Sequence, residues 1–356
     1  MSEITNSSSG KAGFRANLLV SVSSAALLVA VYVSAPALAS ERDHPVVRIE
    51  LGGALTQLDS PQQIYLPPFI LATPRLPFIT KSPADIERPI PDSWDGHAKI
   101  TLQPSGMDWR LSAAVVYGRS ARAGSQRQQT SHRSPARGNF GQYRAYQGAT
   151  TKNTESHMIL DFQAGQDVGL GLFGTGGHST MSIGVRYAQL SSQNDISILY
   201  QPTNDRGTYH MFSGHLDARR RFAGIGPSLS WDASAGLIGN AEDGGASLDW
   251  GLNAAILFGR QRVQGHQRTN ETAVVYPLQK SPIHQTSVML NRSKQMIVPN
   301  LGGFAGISWR YSNAKVSLGY RADMFFGAID GGIDTHKNEN RGFYGPFASI
   351  SVGLGD

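Results

Sequence analysis

The feature that most limits what this chain can fold into is the alternation of apolar and polar residues in the stretch 226–237. Its apolar positions carry bulk and an aromatic ring, whereas the positions between them are small or charged. The two sets are Leu229, Trp231, Ala233, Ala235 and Leu237 against Ser228, Ser230, Asp232 and Ser234. A period of two predicts a β-strand with one apolar and one polar face.

The same alternation recurs along the whole chain and predicts an all-β protein. Further strands are expected at 47–58, 98–103, 109–117, 158–170, 181–187, 248–258, 301–311, 316–326 and 344–354. With 209–237 taken as one strand, the count is about ten, and eight or twelve are the alternatives. The segment 209–222 is either a separate strand or an extension of the strand that follows it.

Long polar sections and short turns alternate between these strands. The long sections are 60–91, 118–152, the polar residues after Ser191, 260–298 and 327–342, and the first of them is rich in proline. A transmembrane antiparallel β-barrel has this pattern, with long extracellular loops and short periplasmic turns. Aromatic residues eight positions apart on one face, such as Trp109 and Tyr117, fit the two interfacial girdles of such a barrel.

The opposite face of these strands carries charge. We expect the following residues, seven of each sign, to line the lumen and pair across it: Arg48, Glu50, Lys99, Asp108, Arg110, Asp161, Asp167, Arg186, Asp232, Asp249, Arg310, Lys315, Arg321 and Asp323. The alternative is a lipocalin-like soluble barrel with the apolar face turned inward. The many Gly and Ser residues on the polar face favour a tight lumen over a solvated surface.

The first 39 residues are typical of an export signal. Lys11 and Arg15 precede an apolar stretch, and Ala37-Leu38-Ala39 offers a small-x-small cleavage site. We expect a signal peptide at 1–39 and an outer-membrane barrel at 40–356, with an uncleaved anchor as the alternative. The chain has no cysteine, which excludes a disulfide-stapled secreted domain.

The section 118–152 is basic and contains no Asp or Glu. It predicts an extracellular loop whose cations face lipopolysaccharide phosphates, because Arg binds phosphate in a bidentate manner. A solvated loop kept soluble by its charges is the alternative. The cations concerned are Arg119, Arg122, Arg127, Arg133, Arg137, Arg144 and Lys152.

Several short motifs add a family resemblance over residues 155–354. They are Gly184-Val185-Arg186-Tyr187-Ala188, Phe222-Ala223-Gly224-Ile225-Gly226-Pro227, Leu257-Phe258-Gly259-Arg260, Leu318-Gly319-Tyr320-Arg321-Ala322 and Phe343-Tyr344-Gly345-Pro346. In this order they resemble the pore-forming outer membrane proteins related to the Legionella major outer membrane protein. The resemblance implies an outer-membrane β-barrel of a Gram-negative bacterium, a pore-forming role, and insertion by the outer-membrane assembly machinery.

Three functions are therefore considered. The first is a narrow channel for small solutes, open or closed at rest; the second is a surface barrel that binds lipopolysaccharide. An outer-membrane hydrolase is the third, with His210, His215 and Asp217 as candidates and His178-Ser179 as a weaker one. We expect no metal site and no cofactor, and export conflicts with a nucleic-acid partner. The solute and the oligomeric state are left open.

Overall fold

The computed structural model describes residues 46–59, 92–105, 109–133, 142–168, 178–203, 208–240, 244–275, 279–331 and 337–354. These residues form ten strands: β1 (Val46–Asp59), β2 (Ser93–Gln103), β3 (Trp109–Arg133), β4 (Gln142–Asp167), β5 (His178–Thr203), β6 (Thr208–Asn240), β7 (Gly244–Val275), β8 (Gln279–Tyr311), β9 (Ala314–Asp330) and β10 (Asn338–Leu354). The expected signal peptide at 1–39 and the proline-rich section 60–91 lie outside the described residues.

Each strand pairs antiparallel with its neighbours in sequence, and β1 pairs with β10 to close the barrel. The prediction of an all-β antiparallel barrel of about ten strands is confirmed. Residues 209–222 belong to β6, which runs without a break from Thr208 to Asn240. The interpretation of this region as one strand is therefore confirmed as well.

No helix long and apolar enough to cross a membrane is found in the described ranges.

Apolar side chains cover the exterior of the barrel as a continuous band. Trp109 and Tyr117 on β3 are 45% and 51% exposed, and Phe258 on β7 is 54% exposed. Leu229 and Leu237, in the stretch 226–237 of β6, also face outward. An exposed apolar surface this large is unfavourable in water and matches the lipid-facing band of a membrane barrel.

The inward face of the stretch 226–237 is polar and closely packed. Ser228 and Ser230 are buried, and Asp232 is half-buried. Trp231, on the outward face, is half-buried, and its Nε1 donates a hydrogen bond to the Ser179 hydroxyl at 2.8 Å. The alternation seen in the sequence thus separates the outside of the barrel from its inside.

Apart from 60–91, which lies outside the described residues, the polar sections interpreted as loops are mostly strand, so those loop interpretations are wrong. Strand β3 continues to Arg133 and β4 begins at Gln142, with an unbroken register from Trp109↔Gln166 to Arg133↔Gln142. Likewise β7 and β8 together cover most of 260–298, β5 continues past Ser191 to Thr203, and β9 and β10 enter 327–342. Outside the apolar band neither face meets hydrocarbon chains, so the alternation disappears although the backbone ladder continues.

The two ends of the barrel differ. One end carries Val46, Leu354 and the strand ends at Gln103, Trp109, Asp167, His178, Asn240, Gly244, Tyr311 and Ala314. We refer to this as the turn end. The opposite end, where β3 to β8 continue past the apolar band, is the extension end.

Candidate functional site

The lumen is the candidate site, because the inward face carries most of the buried polar groups. By the alternation of each strand, thirteen of the fourteen expected lumen residues lie on this face, and Asp108 lies outside the described residues. The thirteen are Arg48, Glu50, Lys99, Arg110, Asp161, Asp167, Arg186, Asp232, Asp249, Arg310, Lys315, Arg321 and Asp323.

Near the turn end the lumen forms a charged vestibule that solvent reaches. Lys99 Nζ lies 3.9 Å from Asp232 Oδ2, and the two side chains are 33% and 38% exposed. Lys315 pairs with Asp249 at 2.5 Å, with both side chains more deeply buried. Opposite charges therefore face each other here with partial hydration.

Deeper in the barrel, Arg186 connects four strands. Its Nε and Nη2 donate to the two carboxylate oxygens of Asp161 at 2.7 and 2.9 Å. Its Nη1 donates to Asn253 Oδ1 at 2.6 Å and also to Asn300 Oδ1. Arg186 is 5% exposed, so this guanidinium is held by protein groups rather than by water. The bidentate geometry is the strong form of an Arg–carboxylate pair.

An apolar layer follows at the level of the outer aromatic residues. Buried side chains from eight strands, β3 to β10, meet there in one cluster, and Leu58 of β1 packs against it. The largest of these side chains are Phe222, Leu257, Val298, Phe325 and Phe343. Phe222, Leu257, Val298 and Phe325 have no exposed surface at all. At this level the inward face is lined by apolar side chains that pack against one another.

Beyond the apolar layer, toward the extension end, lies a second set of ion pairs, which we term the outer ion pairs. Arg220 Nη1 lies 3.0 Å from Glu339 Oε2, and Arg341 Nη2 lies 3.4 Å from Glu155 Oε1. Arg292 Nε donates to Asp330 Oδ2 at 3.0 Å. Arg220 and Arg341 are almost completely buried.

The Glu339 carboxyl lies outside the apolar band and is nonetheless withdrawn from water. Burial raises its pKa, and the Arg220 and Arg341 guanidiniums oppose that effect only in part. Removing an ionised group from water is expensive, and partner charges commonly offset only part of the loss. The outer ion pairs therefore hold Glu339 in place at a cost in hydration.

Sequence reasoning missed the outer ion pairs and also a buried pair between β2 and β4, Asp95 with His157. The signal for Asp95 and His157 was present, because each alternates with outward apolar neighbours such as Trp94 and Met158. No such signal exists for Arg220, which lies in a run of three arginines where the inward position cannot be read. Glu339 and Arg341 lie in a section that was interpreted as a connection.

Six of the seven cations of 118–152 lie on strands and not on a loop. The seventh, Arg137, lies outside the described residues. Arg119 on β3 and Lys152 on β4 are exposed on the exterior. The backbones of Arg122, Arg127 and Arg133 belong to β3, and that of Arg144 to β4. The expected basic loop is corrected to the extended part of one β-hairpin.

The candidate catalytic residues do not form a relay among the described side chains. His215 Nδ1 lies 3.0 Å from Ser197 Oγ and 3.7 Å from Asp195 Oδ1. The same nitrogen faces both groups, whereas a nucleophile relay needs one nitrogen for each. Asp217 is instead directed at Arg219 at 3.8 Å, and Ser179 accepts the Trp231 hydrogen bond. His178 and His210 are placed only by their backbone.

No group of three or more His, Cys, Asp or Glu residues suited to a metal ion is found in the described part of the chain.

The family model described as Legionella pneumophila major outer membrane protein precursor matches residues 112–353. The chain belongs to this family. As a member of the Legionella major outer membrane protein family, the protein is located in the outer membrane of a Gram-negative bacterium. The resemblance recognised in the motifs from 155 onward is confirmed, and the match begins earlier, within β3.

Among solved structures, this family member is similar to the outer membrane protease OmpT from Escherichia coli, with 11% identity, a TM-score of 0.34, and coverage of 89% of this chain and 99% of that one. It is also similar to a major outer membrane protein from Thermus thermophilus, with 9% identity, a TM-score of 0.26, and coverage of 87% and 100%. The toluene transporter TodX from P. putida has 10% identity, a TM-score of 0.17, and coverage of 89% and 91%. No curated protein sequence matches the chain.

Proposed function

We propose that the protein is a narrow outer-membrane channel for small solutes whose lumen is closed at rest. The observation that carries this proposal is the sequence of layers on the inward face. A hydrated, charged vestibule and the outer ion pairs lie on either side of the apolar layer. Membership in the Legionella major outer membrane protein family supports the same proposal.

The apolar layer has the chemistry of a gate. Water and ions avoid a narrow passage lined by apolar side chains, so such a constriction blocks conduction without a plug. Barrels of about eight strands are filled by their own side chains, and a ten-stranded barrel offers little more room. Opening therefore requires that bulky side chains such as Phe325 move aside, which restricts passage to small solutes.

The test compares two adjacent phenylalanines of β9 in planar lipid bilayers. Phe325 points into the apolar layer, and Phe326 points outward and is 42% exposed. For Phe325→Ala we expect a several-fold increase in conductance or open fraction over the wild type. Phe326→Ala should behave like the wild type. Heat-modifiable gel mobility shows that each variant has folded as a barrel.

The opposing result is also clear. If the wild type and Phe325→Ala are both folded and both fail to conduct, the channel proposal is wrong and a structural or surface-interaction barrel is favoured. We infer transport rather than hydrolysis, because the His215 imidazole faces Ser197 and Asp195 through one nitrogen on an exposed surface.

A further inference from the structure

Four arginines form a patch on the exterior of β6 and β7, just beyond the apolar band on the extension side. They are Arg219 and Arg221 on β6 and Arg260 and Arg262 on β7, and all four are exposed. The two on β6 precede the lipid-facing Ile225 in the sequence, and the two on β7 come after the lipid-facing Phe258. We refer to these four residues as the arginine patch.

The arginine patch brings like charges together. Arg221 is directly opposite Arg262 in the β6–β7 register. Directly opposed residues have Cβ atoms about 5 Å apart, and like charges in this position are destabilising. With the described residues, Arg221, Arg260 and Arg262 make no ion pair or hydrogen bond, and only Arg219 has a carboxylate, Asp217, at 3.8 Å. The patch therefore has an excess of positive charge that an anion would neutralise.

The strands on either side of the patch add hydrogen-bonding groups without negative charge. Ser191 on β5 is opposite Arg221, and Ser293 on β8 is opposite Arg262. Gln295 on β8 is opposite Arg260. Hydroxyl and amide groups donate to phosphate oxygens, and Arg binds phosphate with two parallel hydrogen bonds. The chemistry of the site fits a phosphorylated ligand.

The height of the patch identifies the source of the phosphate. Arg260 is two residues beyond Phe258 and Arg262 is four residues beyond it. At about 3.3 Å per residue and a tilt of about 40°, these arginines lie roughly 5 and 10 Å outside the last lipid-facing ring. Phosphate groups of an outer-leaflet lipid lie in this zone, directly above its hydrocarbon chains.

We propose that the arginine patch binds the phosphate groups of lipid A in the outer leaflet. The acyl chains of the lipid lie along Ile225, Phe258 and Ile297, which are aligned across β6, β7 and β8 below the patch. The proposal requires that the extension end faces the cell exterior. It does not depend on conduction through the lumen.

The test measures the affinity of detergent-purified protein for lipid A by native mass spectrometry. The probes are lipid A with two phosphates, the same lipid without phosphate, and inorganic phosphate. We expect Arg221→Gln/Arg262→Gln to lower the affinity for diphosphoryl lipid A by at least about tenfold, because the double variant loses the charged hydrogen bonds of two guanidiniums to phosphate. The matched control is Arg268→Gln, since Arg268 is exposed on the same outward face of β7 but lies six residues further from the apolar band than Arg262.

Each outcome decides the proposal. A large loss in the double variant, no loss in Arg268→Gln and weak binding of dephosphorylated lipid A support it. Unchanged affinity in the double variant overturns it, and so does equal binding of the lipid without phosphate, which would indicate apolar contact alone. Competition by inorganic phosphate at the concentration of the lipid would overturn it as well, because it would show a free-anion site. Unchanged heat-modifiable mobility shows that the variants are folded.

Discussion

Asp95 and His157 contact each other across a strand that lies between them. Asp95 is on β2 and His157 is on β4, and both are opposite Gly118 of β3. His157 Nε2 lies 3.1 Å from Asp95 Oδ2, and both side chains are buried. The contact exists because the residue between them has no side chain. The His157 ring also lies 4.0 Å from the ring of Phe343, so this pair borders the apolar layer.

Gly118→Ala should disrupt this contact and destabilise the barrel. A Cβ at this position would lie 2.0 Å from Asp95 Oδ1 and 2.3 Å from His157 Cε1. Overpacking of this kind costs about 1–3 kcal/mol. Urea unfolding in lipid vesicles measures the loss. Gly96→Ala is the control, because a Cβ there meets nothing within 4 Å; equal stability of the two variants would contradict the prediction.

Arg220→Met should destabilise the protein strongly. The change removes the guanidinium 3.0 Å from Glu339 and leaves a buried carboxylate with less compensation. Breaking one side of a buried ion pair costs about 3–5 kcal/mol. The adjacent Arg219→Met is the control, because Arg219 is on the outward face and 61% exposed. We expect Arg220→Met/Glu339→Gln to regain part of the loss in the same urea measurement. A double variant no more stable than Arg220→Met would oppose this explanation.

Glu339 should give the stability a distinct pH dependence. Burial raises the pKa of this carboxyl in the folded chain. A carboxyl with a raised folded-state pKa stabilises the fold below its unfolded pKa of about 4, and this contribution is lost as the pH rises through the folded-state pKa. The urea midpoint of the wild type should therefore fall relative to that of Glu339→Gln between these two pKa values. Parallel pH profiles for the two proteins would rule out the effect.

Arg186 and Asp161 should be energetically coupled. Each of Arg186→Gln and Asp161→Asn removes a bidentate pair inside the barrel, and we expect each to cost about 2–4 kcal/mol. The double variant should lose less than the sum, with a coupling energy of about 1–3 kcal/mol. Arg186→Lys should not restore stability, because an ammonium cannot form the two parallel hydrogen bonds. Additive losses in a double-mutant cycle would show that the pair is not a unit.

The strands could be predicted from the sequence wherever they face the hydrocarbon part of the membrane. Lipid outside and a charged lumen inside force the alternation that marks residues such as Leu229 and Asp232. Beyond the apolar band this contrast ends: on β7, the outward Arg260 and Arg262 flank the inward Gln261, and all three are polar. The strands continue there because of backbone hydrogen bonds, which the side-chain pattern does not reveal.

The candidate site was predictable in part, for a related reason. Arg186 and Asp161 were identified because they alternate with lipid-facing neighbours. The contact between Asp95 and His157 depends on the register of three strands, which no local pattern specifies. Arg220 and Glu339 lie in polar surroundings on both faces, so their inward direction could be seen only in the structure.

The seam between β1 and β10 has a consequence for the timing of assembly. It joins residues about 300 positions apart in the chain, such as Val47 and Leu354, whereas every other pairing joins consecutive strands. The free edge of β1 therefore has to wait until the last strand has been synthesised and delivered. An unpaired edge is a template for pairing with other chains. Until β10 arrives, β1 therefore remains an open edge that has to be protected from pairing with other chains.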